Sequence, residues 1–435
     1  MPTQMTAARQ GTVTPEMRRV AESEFLDPEF IREQVAAGKL VIPANINHKN
    51  LVPCGIGRAL RTKVNANIGN SSLSSCCRTE LEKLDAAVRY GADTVMDLST
   101  GGNITVIRQA LIEKSAIPLG TVPIYEIVAR AGAKAIGGDI LMQVIREQAM
   151  QGVDYMTIHA GLLKSHVPAA LKRKLGIVSR GGALLASWMQ ENGKENPFYE
   201  KFDEILQVCR QYDVTISLGD GLRPGCLADA SDEAQFAELD TLGELVFRCR
   251  EAGVQVMVEG PGHVPLDQIE MNMKREQQIC DDAPFYILGP IVCDCAPGYD
   301  HLTASMGGMM GAFHGAAMLC YVTPKEHIGL PEADDVARGL TAFKIAAHAA
   351  DIALHRPHAR DLDDRISDAR AVFDWEKQFS CAIEPDRPRA YRKAALAAAS
   401  QPPESHGTEF CTMCGPDFCS VRLSAKLKKT PPVID

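Results

Sequence analysis

Eight short runs of apolar and β-branched residues recur along the chain, and a stretch with helical periodicity follows each one. The runs are Lys63–Ile68, Thr94–Leu98, Pro118–Val122, Tyr155–His159, Val214–Leu218, Gln255–Glu259, Phe285–Leu288 and Met318–Val322. Between them, segments such as Thr79–Tyr90 and Thr241–Ala252 repeat apolar positions every three or four residues, the period of a half-buried helix. Eight strand–helix units over about 270 residues predict an α/β fold, a (β/α)8 TIM barrel. The rival design is a doubly wound sheet, which carries a Gly-x-Gly-x-x-Gly turn after an early strand. No such turn follows an early run here.

The remaining residues divide around this barrel. Residues 1–55 read as an N-terminal appendage and residues 56–335 as the barrel. A C-terminal helical region spans 336–400, with Leu340–Leu354 and Ile366–Phe379 as two amphipathic helices. Ala394–Pro403 is linker-like and leads into a tail, 401–435, that is expected to be mobile.

Composition narrows the setting. The chain has 435 residues, 46% of them hydrophobic, which is enough for a large core. A net charge of −9 argues against a nucleic-acid footprint, which is usually basic. The N-terminus lacks the apolar segment of a secretory signal, and no apolar stretch approaches the length of a membrane span. Fourteen cysteines without a disulfide-framework spacing suit a reducing cytoplasm.

Polar and glycine-rich signatures cluster where the apolar runs end. They include Asn67 in Asn65–Gly69, Met96 before Asp97, Tyr125, His159, Asp220-Gly221-Leu222-Arg223, and Glu259 with His263 in Glu-Gly-Pro-Gly-His. In a barrel the carboxyl ends of the strands form one face, and active sites are built there. Ser179-Arg180-Gly181 offers a hydroxyl, a guanidinium and backbone amides, and Arg223 a second guanidinium, a chemistry suited to phosphate. His263 and His327 sit near the ends of the sixth and eighth runs and could share one divalent metal with open positions. Glu259 could move protons, and Asp294 and Asp300-His301 are further polar candidates. Cys293, Cys295 and Cys320 read as small buried residues rather than nucleophiles.

The tail contains Cys411, Cys414 and Cys419 at C-x2-C-x4-C spacing. Three thiolates can hold a 4Fe–4S cluster and leave one iron open. With His406 they could instead make a closed Cys3His zinc knuckle. The spacing alone favours neither.

Ordered strings across residues 38–424 then carry a resemblance. They include NANIGNS, GADTVMDLSTGG, GIVSRGG, SLGDGLRPG, VMVEGPGHVP, LCYVTPKEH and CTMCGPDFC. The chain resembles the phosphomethylpyrimidine synthase family, which includes 5-hydroxybenzimidazole synthase paralogues. The resemblance implies a (β/α)8 barrel and a radical S-adenosylmethionine enzyme. Its substrate would be 5-aminoimidazole ribonucleotide, and its 4Fe–4S cluster would be held by Cys411, Cys414 and Cys419. The implied substrate ligands are Asn67, Met96, Tyr125, His159, Ser179, Arg180, Gly181, Asp220, Gly221, Leu222, Arg223, Glu259 and Tyr286, with His159, Glu259 and Tyr286 as candidate catalytic groups. His263 and His327 match the family's ligands for one further divalent metal, such as zinc. An electron donor of the flavodoxin or ferredoxin kind and a homodimer are implied as partners.

The resemblance implies 4-amino-5-hydroxymethyl-2-methylpyrimidine phosphate, of thiamin biosynthesis, as product. Cys293-Asp294-Cys295 stands where family members read Thr-Asp-Ile or Thr-Asp-Val, and Ser71–Cys77 is also unusual. These departures keep a 5-hydroxybenzimidazole product, the cobamide lower base, as an alternative. A silent nucleotide-binding barrel with a structural zinc is a second one.

Overall fold

The computed structural model describes residues 2–71, 73, 76–399 and 410–429. Two compact units make up the chain, Met1–Pro357 and His358–Asp435. In the first, β1 (Leu40–Val41) and β2 (Ile56–Gly57) form a small antiparallel pair. Eight parallel strands then close into a barrel: β3 (Lys63–Ile68), β4 (Thr94–Asp97), β5 (Leu119–Thr121), β6 (Tyr155–Ile158), β7 (Thr215–Leu218), β8 (Val256–Gly260), β9 (Phe285–Leu288) and β10 (Met318–Cys320). Each expected run holds one strand, with ends shifted by no more than two residues. The seam closes where β10 pairs with β3, Met318 opposite Lys63 and Cys320 opposite Asn65. The expected TIM barrel is therefore the fold.

The strands are buried on both faces, as parallel strands under helices must be. A hydrogen-bonded layer crosses the barrel's interior. The wholly buried Asn65 accepts from the Tyr155 hydroxyl and from Thr94 Oγ1, each at 2.8 Å, and donates to the Tyr286 hydroxyl at 2.7 Å. Full satisfaction is what makes such burial tolerable.

The N-terminal residues fold into the helices Gln4–Arg9, Pro15–Glu24 and Pro28–Ala36, capped by the side chains of Thr3, Thr14 and Asp27. They share a core of their own, including Met17, Val20, Ile31, Val35 and Ile42. Two buried devices join this segment to the barrel. Gln255 bonds both the amide and the carbonyl of Ile42. Asp154 binds His48 Nδ1 at 2.7 Å and accepts from the amides of Asn45 and Leu119.

The expected helix Leu340–Leu354 falls, but for its last residue, within a longer one, Ala333–Ala353, which packs on the helices Asp300–Phe313 and Cys77–Arg89 and on β3. It thus covers the barrel wall beside the seam. In the second unit, Ile366–Phe379 is not one helix. Asp361–Ala371 ends at a turn with Phe373 at φ 60°, and Trp375–Ser380 starts afresh with Asp374 as its cap. Ala394–Ala397 closes the helix Asp386–Ala397, so the first part of the expected linker is helical. Residues 400–403 of that stretch, His406, and Ser72, Ser74 and Ser75 of the Ser71–Cys77 run lie outside the described residues.

Asp154 is wholly buried and serves three donors at once. Its loss strands His48 and two amides. Asp154→Ala should cost about 3–5 kcal/mol, the range for removing one partner of a buried pair. Denaturant unfolding of the variant checks this, and an unchanged midpoint would count against the pin.

Candidate active site

The carboxyl ends of the eight strands open into an inner pocket of about 80 Å3, continuous in its lining with an outer cleft of about 960 Å3. Asn67, Met96, Tyr125, His159, Asp220, Arg223, Glu259 and Tyr286 all line the inner pocket. Arg180, His263 and His327 line the outer cleft. The barrel brings to one mouth residues that lie up to 260 positions apart (67 to 327).

Ser179-Arg180-Gly181 is not an ordinary surface turn. Ser179 caps the helix Arg180–Asn192, accepting from the Gly182 amide at 3.2 Å. The positive end of that helix therefore lies at the cleft, where an anion is favoured. Glycine is needed at the next two positions by close approach. A Cβ on Gly181 would stand 2.5 Å from the His159 ring, and one on Gly182 only 2.1 Å from the Gly221 carbonyl. The Ser179 and Asp220 segments are thereby pressed together. Arg180 also lies 5.0 Å over the Tyr125 ring, so that one face of this tyrosine is covered by a cation.

The Asp220–Arg223 loop is held from behind. The Leu222 amide donates to Glu238 Oε2 at 2.7 Å, and the Leu222 side chain is wholly buried. Leu222 thus offers the pocket neither its amide nor its side chain. Arg223 donates to Asp220 Oδ1 at 3.0 Å. Burial works against the Arg223 charge, but Asp220 and its other acidic neighbours outweigh that and hold it protonated.

Burial sets the protonation of the other groups. It pushes the Glu259 carboxyl up to about 7, with Asp220 adding to the effect. Thr157 and Ser217 hydroxyls each donate to Glu259 Oε1 at 2.7 Å, which limits the rise. His159 is pushed down to about 3 by burial and by the Arg223 charge, so the ring is neutral. Its Nε2 is 3.4 Å from the Ser179 hydroxyl, while its Nδ1 is buried without a partner. Asp220 Oδ2 is likewise buried and unpartnered. Two orphaned polar atoms lining one pocket call for a polar ligand.

Several contributors lie beyond the ligand set that the resemblance implies. Cys320 is buried and sits with Sγ 3.0 Å from Asn67 Nδ2. Thr157 and Ser217 are inward positions of β6 and β7, and Glu238 belongs to the helix Glu233–Glu251. Alternation along the strands could have found the first two. Glu326 lines the outer cleft beside His327, its pKa raised chiefly by burial.

His263 and His327 converge, with ring centroids 5.3 Å apart. The His263 main chain is clamped between the Pro224 carbonyl, which accepts its amide at 3.0 Å, and Ile291. Asp294 Oδ1 holds His263 Nδ1 at 2.7 Å, and Asp300 Oδ1 lies 3.7 Å from His327 Nδ1. The carboxylate on His263 Nδ1 leaves that ring's Nε2 for a ligand, the usual backing of a metal-binding histidine, while Asp300 stands on the Nδ1 side of His327 beyond hydrogen-bonding distance. His327 is held at φ 60°, a conformation that non-glycine residues adopt only where surroundings enforce it. Two imidazoles suit a divalent ion that keeps open positions. Among the described residues, no set of three or more His, Cys, Asp or Glu side chains forms a ready metal site.

In the second unit, Cys411 and Cys414 share a side-chain hydrogen bond. Amides of Cys414 and Met413 favour the Cys411 thiolate and lower its pKa. Cys414 is raised, by burial first and then by Cys411 and Cys419. Three thiols at this spacing are the right donors for a three-thiolate cluster.

Residues 3–426 match the Radical SAM ThiC family. A phosphomethylpyrimidine synthase of Haloarcula marismortui is 59% identical over 97% of this chain and 87% of its own length. Those of Natronomonas pharaonis and Halobacterium salinarum are 58% and 57% identical, each over 97% of this chain and 88% of their own. The chain belongs to the radical SAM ThiC family.

Proposed function

We propose that the barrel mouth binds 5-aminoimidazole ribonucleotide and rearranges it to 4-amino-5-hydroxymethyl-2-methylpyrimidine phosphate. The chain is a radical S-adenosylmethionine enzyme of the phosphomethylpyrimidine synthase type, and its family implies a 4Fe–4S cluster and S-adenosylmethionine. The observation that carries the substrate reading is the junction of the Arg180 helix end with the Asp220–Arg223 loop, beside the unpartnered His159 and Asp220 atoms. Nothing in the site or among these relatives favours the benzimidazole product or the silent barrel.

In this reading the phosphate lies against the amides of Arg180 and Gly181 and the guanidiniums of Arg180 and Arg223. Met96 gives the aminoimidazole an apolar wall, and Asn67 and Tyr286 give it hydrogen-bonding groups. The neutral His159 presents one N–H and one lone pair, so it orients the substrate without adding charge. Glu259, poised near 7, can hold or release a proton at its carboxyl as ring nitrogens change basicity. Burial keeps water from reactive intermediates.

Cys411, Cys414 and Cys419 would hold the cluster, which when bound supplies the one-electron cleavage of S-adenosylmethionine that starts the radical chemistry. His263 and His327 would hold one divalent metal, zinc being the type that suits them. The division of labour is that of a barrel at 56–335 for the substrate and a tail at 401–435 for the cluster, with the appendage at 1–55 and helices at 336–400 as support. A flavodoxin- or ferredoxin-like donor supplies the electron. Leu302, Met306, Met309 and Phe313 form an exposed apolar stripe at helical spacing, which supports a homodimer. Fourteen free cysteines suit the cytoplasm, and among the described residues no helix is long and apolar enough to cross a membrane.

Anaerobic turnover of the reconstituted protein with S-adenosylmethionine, a reductant and the ribonucleotide should give a phosphorylated pyrimidine by mass analysis. A phosphate-free hydroxybenzimidazole would contradict the proposal. Cys414→Ala should lose cluster absorbance and S-adenosylmethionine cleavage while its circular dichroism stays unchanged. Arg180→Lys keeps the charge but not the fork, and should raise the ribonucleotide Kd on the order of tenfold, about 1.4 kcal/mol. An unchanged Kd by calorimetry would argue against the phosphate contact. Ser217→Ala removes one of the two donors that favour the ionised Glu259. The apparent pKa of Glu259 should then rise above about 7 in an infrared titration, and a fall would contradict the assignment.

A further inference from the structure

Cys293 and Cys295 flank Asp294 in the stretch between Ile291 and the helix Asp300–Phe313. They are not the small buried residues that the sequence suggests. Cys293 is half-buried, Cys295 is exposed, and their Sγ atoms are 3.3 Å apart. The residue between them is fully committed. Asp294 Oδ1 holds His263 Nδ1 at 2.7 Å, and its Oδ2 accepts from the Leu227 amide at 2.8 Å. The two thiols therefore bracket the one carboxylate that orients His263.

We propose that Cys293 and Cys295 form a reversible dithiol–disulfide site whose closure draws Asp294 away from His263. Sulfur atoms in a disulfide lie about 2.05 Å apart, so closure brings the two Sγ atoms more than 1 Å nearer. Only Asp294 separates them in sequence, so the tightening falls on its backbone. On one side, Ile291 is tied to Gly262 by a 2.9 Å amide bond and cannot follow freely. On the other, Asp300 accepts from the Gly298 amide at 3.1 Å. Asp294 lies between these anchors, so closure strains the two hydrogen bonds that its carboxylate makes.

The chemistry is thiol exchange with a small-molecule disulfide. The exposed Cys295 thiolate attacks one sulfur of the reagent and expels the other as a thiolate. The Cys293 thiolate then attacks the Cys295 sulfur of the mixed disulfide and expels the second. In sum, two protein thiols lose two electrons and two protons, and the reagent disulfide becomes two thiols. A small, exposed ring of this kind is strained and readily reduced again, the character of a regulatory disulfide rather than a structural one. The site would register oxidising conditions in a protein whose proposed chemistry begins with a one-electron reduction.

The consequence for catalysis rests on the proposed metal at His263 and His327, but the contact between Asp294 and His263 is a property of the metal-free chain. The test is therefore made without metal. Full-length protein, freed of metal by chelation and reduced, is titrated with oxidised glutathione. Tandem mass spectrometry of its peptides reports where hydrogens are lost. Nitrogen-15 histidine NMR, with the His263 signal assigned from a His263→Asn variant, reports the Nδ1 hydrogen bond. The expected result is loss of two hydrogens across Cys293–Cys295, a shift of the His263 Nδ1 signal in step with it, and reversal by a dithiol. The Cys293→Ser variant should keep the His263 signal of the reduced protein throughout. Glutathione adducts without a Cys293–Cys295 bond, or that bond with an unmoved His263 signal, would each overturn the proposal.

Discussion

The pairing of β10 back onto β3 leaves every barrel strand with a partner on both sides. Because all eight run parallel, their carboxyl ends emerge at one rim, and residues remote in sequence become neighbours there. The closure also needs a filled interior. The hydrogen-bonded layer of Asn65, Thr94, Tyr155 and Tyr286 helps to fill it and meets the pocket at Tyr286, part of the pocket floor. Tyr286 and Asn67 are thus held by the same network that stabilises the barrel, since Asn65 also donates to Asn67 Oδ1 at 2.8 Å.

Above this floor, burial decides the electrostatics. Asp220, Glu238 and Glu259 are carboxyls held away from water, each with a raised pKa, close to the guanidinium of Arg223 or Arg173. Such a group is costly to assemble unless its atoms are satisfied. One oxygen of each is, through Thr157, Ser217, Leu222 and Arg223. Glu238 Oε1 is left without a partner behind the loop, whereas the unpartnered His159 Nδ1 and Asp220 Oδ2 lie in residues that line the pocket, where a ligand can reach them. The mouth is therefore preorganised for a polar ligand.

Much of this was legible in the chain. Continuous apolar runs at regular intervals mark buried parallel strands, and all eight lie where the runs are. The polar strand ends marked the mouth, because polar residues at that position have no role in the core. Other features left no trace. β1 and β2 have two residues each, too short for any alternation to register. Ile366–Phe379 keeps an apolar period across a break that is set by Phe373 at φ 60°, a backbone state with no glycine to announce it. Leu222 matched a binding motif, yet its position in the loop turns it into the core. Cys293 and Cys295 looked like core cysteines because their type is usually buried; here they belong to an irregular segment whose register is set by Asp294.

The central claim is that a ribonucleotide phosphate rests where the helix Arg180–Asn192 meets the Asp220–Arg223 loop. A crystal structure of the protein with 5-aminoimidazole ribonucleotide, grown without reductant, tests it directly. The account predicts the phosphate within hydrogen-bonding distance of the Arg180 and Gly181 amides and of Arg223, with the imidazole ring beside Met96 and Glu259. A phosphate bound elsewhere on the barrel, with the His159 and Asp220 atoms still unpartnered, would contradict it.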